Sequence, residues 1–304
     1  MKFLLMKLNK YYLAAFSCFF IWGFFGLALR PLHDYPSLDI LFYRVFFAAA
    51  LLLLINLMFR KNKLKEDYVF FKNLTSKQKR ATVSLTILGG FLLIFNWYLF
   101  MHAVNHVSLQ SASFAYLICP IITTILAFFI LNEKLSKWQW IAVFLCAMSC
   151  SILSYGHIYE LFYSLIIAIS FALYLISQRK NNQFDRFVIL TVQLVIASLV
   201  ITPFFPTYSG PIPTANLFYT LMMVIVVLFT IIPLFLNLYA LKGMNSSAVG
   251  ILMYTNPLIN FFLAIFYFHE EIHLTQIISY SLIFVSIVIF SKNSLDKSEI
   301  KSVD

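Results

Sequence analysis

Ten apolar stretches follow one another along the chain, each long enough to cross the roughly 30 Å hydrocarbon core of a bilayer as a helix. They are Tyr11 to Leu29, Ile40 to Phe59, Val83 to Val104, Leu109 to Leu131, Trp138 to Tyr155, Leu161 to Ser177, Phe187 to Phe205, Leu217 to Leu241, Ser246 to Phe268 and Leu274 to Ser291. Charged residues are confined to the links, apart from Arg44. Several links are too short for strands or a further domain, and backbone in lipid must satisfy its own hydrogen bonds, so the stretches are predicted to be helices.

Composition agrees with the pattern. Of 304 residues, 62% are hydrophobic and 11% charged, against about 25% charged in soluble domains. An ordinary soluble protein is excluded, and about 200 residues of membrane helix leave no room for a sizeable soluble domain. Cys18, Cys119, Cys146 and Cys150 all fall in apolar stretches, where thiols behave as small hydrophobes rather than as a redox or zinc framework. No cofactor is expected.

The formal charge of +10 invites a nucleic-acid reading, which the placement of the charge removes. With the N-terminus cytoplasmic, 20 of the 22 Lys and Arg fall on the cytoplasmic side, Arg30 faces out and Arg44 lies in the membrane. The positive-inside rule then puts both termini in the cytoplasm and makes the number of spans even. A nucleic-acid binder has no need of this loop-by-loop alternation. The run Arg60 to Arg80 reads as a solvated basic link beside anionic headgroups. The first stretch ends in Arg30-Pro31 rather than a small-residue cleavage site, so it is expected to remain as the first helix.

A constant offset of 137 places Leu99 on Leu236, Ala103 on Ala240, Pro120 on Pro257, Ala127 on Ala264, Glu133 on Glu270 and Gln139 on Gln276, starting from Asn96 on Pro233. Five spans separate the copies, an odd number, so equivalent residues face opposite sides of the membrane. This is the signature of an inverted repeat, with a substrate site expected near the midplane between the halves. The expected fold is an all-α membrane protein of ten transmembrane helices in two inverted five-helix repeats, residues 1–157 and 158–304.

Ile21-Trp22-Gly23, Asp39-Ile40-Leu41 with Arg44, Asn96-Trp97 and Ala103-Val104-Asn105 form an ordered set of motifs. They continue through Ser113, Tyr116, Pro120, Glu133, Gln139-Trp140, Gly250, Tyr254, Pro257 and Glu270. In these residues the chain resembles the RarD-like branch of the EamA drug/metabolite transporter family over nearly its whole length. The resemblance implies ten helices in two halves and a permease for small metabolites or drugs in a bacterial inner or plasma membrane, with export the expected direction. The chain departs from the family pattern at Cys119, where Asn is usual, and at Met253 and Asn260, where Gln is usual.

Pro120 and Pro257 fall at the middle of the fourth and ninth spans. Each lacks the amide proton that would bond the carbonyl four residues back, on Tyr116 and Met253, leaving an acceptor for a polar neighbour, water or ligand. Tyr116 stands at one notch; Tyr254, Asn256 and Asn260 stand at the other. Arg44 lies about 8 Å into its helix. It either snorkels outward or faces a wet cavity, where it favours an anionic group. Asn96, His102 and Asn105 form a polar stripe on the third span, and Trp22 and Trp97 are rings able to stack on a substrate or to serve as packing. The expected substrate-binding set is Trp22, Arg44, Asn96, Trp97, Tyr116, Pro120, Tyr254, Asn256, Pro257 and Asn260. His102, Asn105, Glu133 and Glu270 are expected to gate or couple, or, for the two glutamates, to order equivalent turns. Ser136 with Gln139 reads as a capping box that starts the fifth span.

His269-Glu270-Glu271-Ile272-His273 matches the H-E-x-x-H pattern of zinc proteases, which works only on a continuous helix. Here it falls in the short link before the tenth span, and its repeat equivalent Asn132 to Ser136 keeps the glutamate without either histidine. The expectation is a permease whose partners are a small-molecule substrate and the lipid bilayer, with no resident metal. A membrane metalloprotease and a non-transporting sensor or scaffold are the alternatives.

Overall fold

The computed structural model describes residues 10–106, 109–155, 158–267, 269 and 273–300, with their side chains except at 104–106, 109–113, 158, 264 and 292–300. The helices are α1 (Lys10–Gly23), α2 (Phe25–Leu29), α3 (Ser37–Phe59), α4 (Lys61–Asn73), α5 (Ser76–His106), α6 (Leu109–Leu131), α7 (Lys137–Leu153), α8 (Ile158–Lys180) and α9 (Arg186–Ile201). After them come α10 (Phe205–Tyr208), α11 (Asn216–Val226), α12 (Ile232–Gly243), α13 (Ser246–Leu252), α14 (Thr255–Phe266) and α15 (Leu274–Ile300). A single π-helical turn, Val227–Ile231, joins α11 to α12. No strand occurs among the described residues.

Seven of these helical stretches are individually long and apolar enough to cross a membrane, and the α1–α2 pair makes an eighth despite a 41° bend. The fifth predicted stretch is the 17-residue α7, whose N-terminus carries the expected reciprocal Ser136–Gln139 box. The ninth is not the continuous helix read from the sequence: it breaks at Met253–Tyr254 between α13 and α14. Pro257 is the cause. Placed in the first turn of α14, it has no amide hydrogen to lose, and the Met253 carbonyl is met by the Asn256 amide at 3.0 Å. The open acceptor expected at Met253 is therefore absent. Pro120, by contrast, sits inside an unbroken α6.

The packing partners occur in pairs related by a shift of five spans. α1 against α12 corresponds to α8 against α5; α6 against α8 corresponds to α14 against α1; α5 against α9 corresponds to α11 against α3. The contacts α3–α9, α6–α13 and α7–α15 map onto themselves. This is the pattern of two halves related by a pseudo-twofold axis. Backbone detail repeats as well, since Asn132 and His269, 137 residues apart, have positive φ of 54° and 53°. Where α13 crosses α6, Gly250 permits the approach: a Cβ there would meet Thr123 at 3.1 Å.

At the end bearing the basic links, polar contacts join distant segments. Glu133, at the end of the fourth span, accepts the Ser246 amide (2.7 Å), the Ser247 amide (3.0 Å) and the Ser247 hydroxyl (2.5 Å). It does not order only its own turn; it caps α13 in the other half, where a carboxylate meets the positive helix end. Arg60 pairs with Asp185 at 2.9 Å, the Asp185 amide donates to Asp67, and Arg179 donates to the Leu241 carbonyl at 2.6 Å. Burial raises the Asp67 carboxyl above its ordinary value.

Candidate functional site

Between the halves lies a chamber lined by Trp22, Phe25, Arg44, Asn96, Trp97, Phe100, Met101, Tyr116, Phe171 and Asn256, with room for about 50 Å³. Trp22, Phe25, Phe100, Met101, Tyr116 and Asn256 also line a vestibule of about 470 Å³ that leads past Gly26, Arg30, His33 and Tyr35 to the end away from the basic links. The cavity thus has a mouth at one end of the molecule, while Glu133 joins the halves at the other.

Arg44 forms the chamber's polar wall. It is 5% exposed and does not snorkel toward the interface. Its Nε donates to Thr230 Oγ1 at 2.6 Å and its Nη2 to the Phe229 carbonyl at 3.3 Å. The rings of Phe25 and Trp97 lie 4.8 and 4.3 Å from the guanidinium carbon, close enough for cation–π attraction. Among the described residues nothing acidic lines the chamber or the vestibule. Both of its acceptors are neutral oxygens.

The other predicted residues fall into three groups. Trp22, Asn96, Trp97, Tyr116 and Asn256 join Arg44 in the chamber, and Pro257 and Asn260 line the vestibule. Asn96 donates to the Ile167 carbonyl and Ser170 hydroxyl, both at 2.9 Å, so its amide nitrogen fixes α5 to α8. Asn260 donates to Asn256 Oδ1 at 2.9 Å. Tyr254 and Pro120 line neither space. Tyr254 is fully buried and its hydroxyl donates to the Leu117 carbonyl at 2.8 Å, while the Pro120 carbonyl accepts Thr124 Oγ1.

The stripe read along the third span is split. Asn96 faces inward, whereas His102 stacks on Tyr98 and borders a lateral groove of about 520 Å³ among α3, α5 and α9. The Asn105 side chain and all of Glu270 lie outside the described residues. Residues that the sequence reading missed in the chamber are Phe25, Phe100, Met101 and Phe171.

The zinc reading loses its required frame. His269 has a left-handed φ of 53°, α14 ends at Phe266 and α15 begins only at Leu274. Neither histidine is on a helix, although the motif needs both on one helical face.

The sequence profile of the EamA-like transporter family matches residues 9–155 and 158–292. The "Uncharacterized transporter YojE" of Bacillus subtilis is 26% identical over 90% of this chain and 90% of its own length. "Protein RarD" of Escherichia coli is 23% identical over 93% of this chain and 94% of its own. "Protein RarD" of Streptomyces exfoliatus is 26% identical over 93% and 88%. One solved crystal structure superposes with a TM-score of 0.73 at 11% identity, covering 93% of this chain and 97% of that one, a likeness of fold alone. Matched in both halves by that profile and similar to transporters along nine-tenths of its length, the chain is a membrane transporter that belongs to the EamA-like transporter family.

Proposed function

We propose that the protein is a secondary-type permease that exports small amphipathic organic anions or zwitterions across a bacterial inner or plasma membrane by alternating access. In this reading all ten stretches cross, the halves are residues 1–157 and 158–304, and both termini are cytoplasmic, which makes the structure an outward-open state. The observation that carries the reading is Arg44: a charged edge on the wall of a cavity between halves, with aromatic walls around it and a mouth at one end only. The rings of Trp22, Phe25, Phe100 and Tyr116 suit an apolar body, while the guanidinium suits a planar carboxylate or similar acceptor.

Glu133 supplies the closed gate. Its three bonds join the halves at the basic end and must break for that end to open. The 137-residue offset gives Glu270 the corresponding relation to Leu109 and Gln110 at the start of α6, so the opposite state exchanges one helix cap for its repeat equivalent.

The test is flux in proteoliposomes of phenylacetate, phenylacetamide and phenethylamine, which share a ring and differ in charge. Phenylacetate is expected to move at least tenfold faster than the amine. Arg44→Gln should abolish that advantage and Arg44→Lys restore part of it, since lysine keeps the charge without the planar fork. Equal loss for all three compounds in Arg44→Gln would leave Arg44 as a structural anchor.

A further inference from the structure

One of the places where the two halves depart from their shared design touches Arg44. α5 is an unbroken helix from Ser76 to His106, but its counterpart in the second half is interrupted by the π-turn Val227–Ile231. The 137-residue offset places Pro233 on Asn96. In an α-helix the amide of residue 233 would bond the carbonyl of Phe229; proline has no hydrogen to give. The helix widens instead, with the Ile232 amide reaching back five residues to Val227 and the Thr230 hydroxyl reaching back five to Ile225 at 3.1 Å. Turns of this kind recur at functional sites.

The carbonyl released by Pro233 has two donors from elsewhere in the molecule. Trp22 Nε1 donates to Phe229 O at 2.9 Å, and Arg44 Nη2 donates to the same oxygen at 3.3 Å. Thr230, having given its hydrogen to Ile225, presents a lone pair to Arg44 Nε at 2.6 Å. Nε and Nη2 form one edge of the guanidinium fork, so the π-turn occupies that side edge. Nη1 takes part in neither bond, and Arg44 lines the chamber; the Nη1–Nη2 end edge is the one on which arginine can receive a carboxylate with two parallel bonds.

We infer that Pro233 and Thr230 are positioning residues for anion recognition: the proline opens a π-turn whose Thr230 hydroxyl and Phe229 carbonyl aim Arg44 end-on at the substrate. The inference rests on the reading of Arg44 as the anion site. Neither residue touches the substrate; each acts through the guanidinium. The same carbonyl ties Trp22, at the bend of the first span, to the same turn.

The experiment compares binding of phenylacetate and phenylacetamide to the purified full-length protein by calorimetric titration, together with its thermal unfolding midpoint. Wild type is expected to bind the carboxylate at least tenfold more tightly than the amide. Thr230→Val, which keeps the shape and removes the acceptor, should cut that ratio to threefold or less, while Thr230→Ser keeps it. Pro233→Ala returns an amide hydrogen to Phe229. It should also collapse the ratio while the unfolding midpoint stays level or rises, a combination that a merely structural proline would not produce. If Thr230→Val does not accumulate in the membrane, Thr230→Cys, a weak acceptor of similar size, takes its place with the same expected loss. A ratio of tenfold or more in both the Thr230 and Pro233 variants overturns the positioning role and leaves the anion site intact. No preference in wild type overturns the anion site, and the positioning role with it.

Discussion

Tyr116 and Tyr254 stand on the fourth and ninth spans and do opposite work. The Tyr116 ring lines both the chamber and the vestibule, whereas Tyr254 is buried with its hydroxyl on α6. Tyr254→Phe should therefore lower the unfolding midpoint and spare transport. Its cost is near the low end of the about 1–3 kcal/mol for an orphaned buried acceptor, because the Leu117 carbonyl retains Cys150 Sγ at 3.3 Å. Tyr116→Phe should reduce flux and leave the midpoint nearly unchanged. Thermal unfolding and flux measured on both variants would sink the assignment if the two effects were exchanged. Polar residues of the chamber were legible in the sequence because a guanidinium, an amide or a phenol inside an apolar run needs a reason. Phe25, Phe100 and Phe171 carried no such signal among 34 phenylalanines. Thr230 and Phe229 were within reach of the argument applied to Pro120 and Pro257: counting four residues back from Pro233 identifies the carbonyl on which Trp22 and Arg44 converge.

The elements tell a similar story. Apolar length predicts where a helix can cross, but it is blind to whether the helix is whole, so the bend after α1 and the break before α14 appear only in the fold. Both breaks lie on one contact, since α1 packs against α14 with Gly23 facing Ile259. A Cβ on Gly23 would stand 2.7 Å from Ile259 Cβ and 2.8 Å from its Cδ1, too near for either side chain to remain in place. Gly23→Ala should cost about 1–3 kcal/mol by overpacking and impair transport, because it wedges apart the two broken spans that bound the vestibule. Adding Ile259→Ala makes room. Recovery of the unfolding midpoint in the double variant is the check, and a double variant no better than Gly23→Ala would show that the glycine serves its own backbone instead of this contact.

At the scale of the whole molecule, unpaired polar atoms gather between the chamber and the basic end. One helical turn from the chamber toward the basic end, Cys18 follows Trp22 on α1, Tyr174 follows Phe171 on α8, and Asn237 follows Pro233 on α12, all fully buried. The Tyr174 hydroxyl and both polar atoms of the Asn237 side chain have no hydrogen-bond partner among the described residues, and beyond them Arg186 Nε and Nη2 and Gln193 Oε1 are in the same condition. Native interiors rarely tolerate such groups without a reason. A state in which the basic end opens supplies one, because water or substrate would then reach them. A protein with one state would do better with an apolar residue there, since replacing an unsatisfied buried group by a hydrophobe of similar shape is neutral or stabilising. Asn237→Leu separates the two cases. It should raise the unfolding midpoint, by an amount worth about 1–3 kcal/mol, and at the same time suppress flux by favouring the closed basic end. A lowered midpoint would mean that Asn237 has a structural partner. A raised midpoint with undiminished flux would mean that the path does not run between α1, α8 and α12, and that these atoms are strain without function.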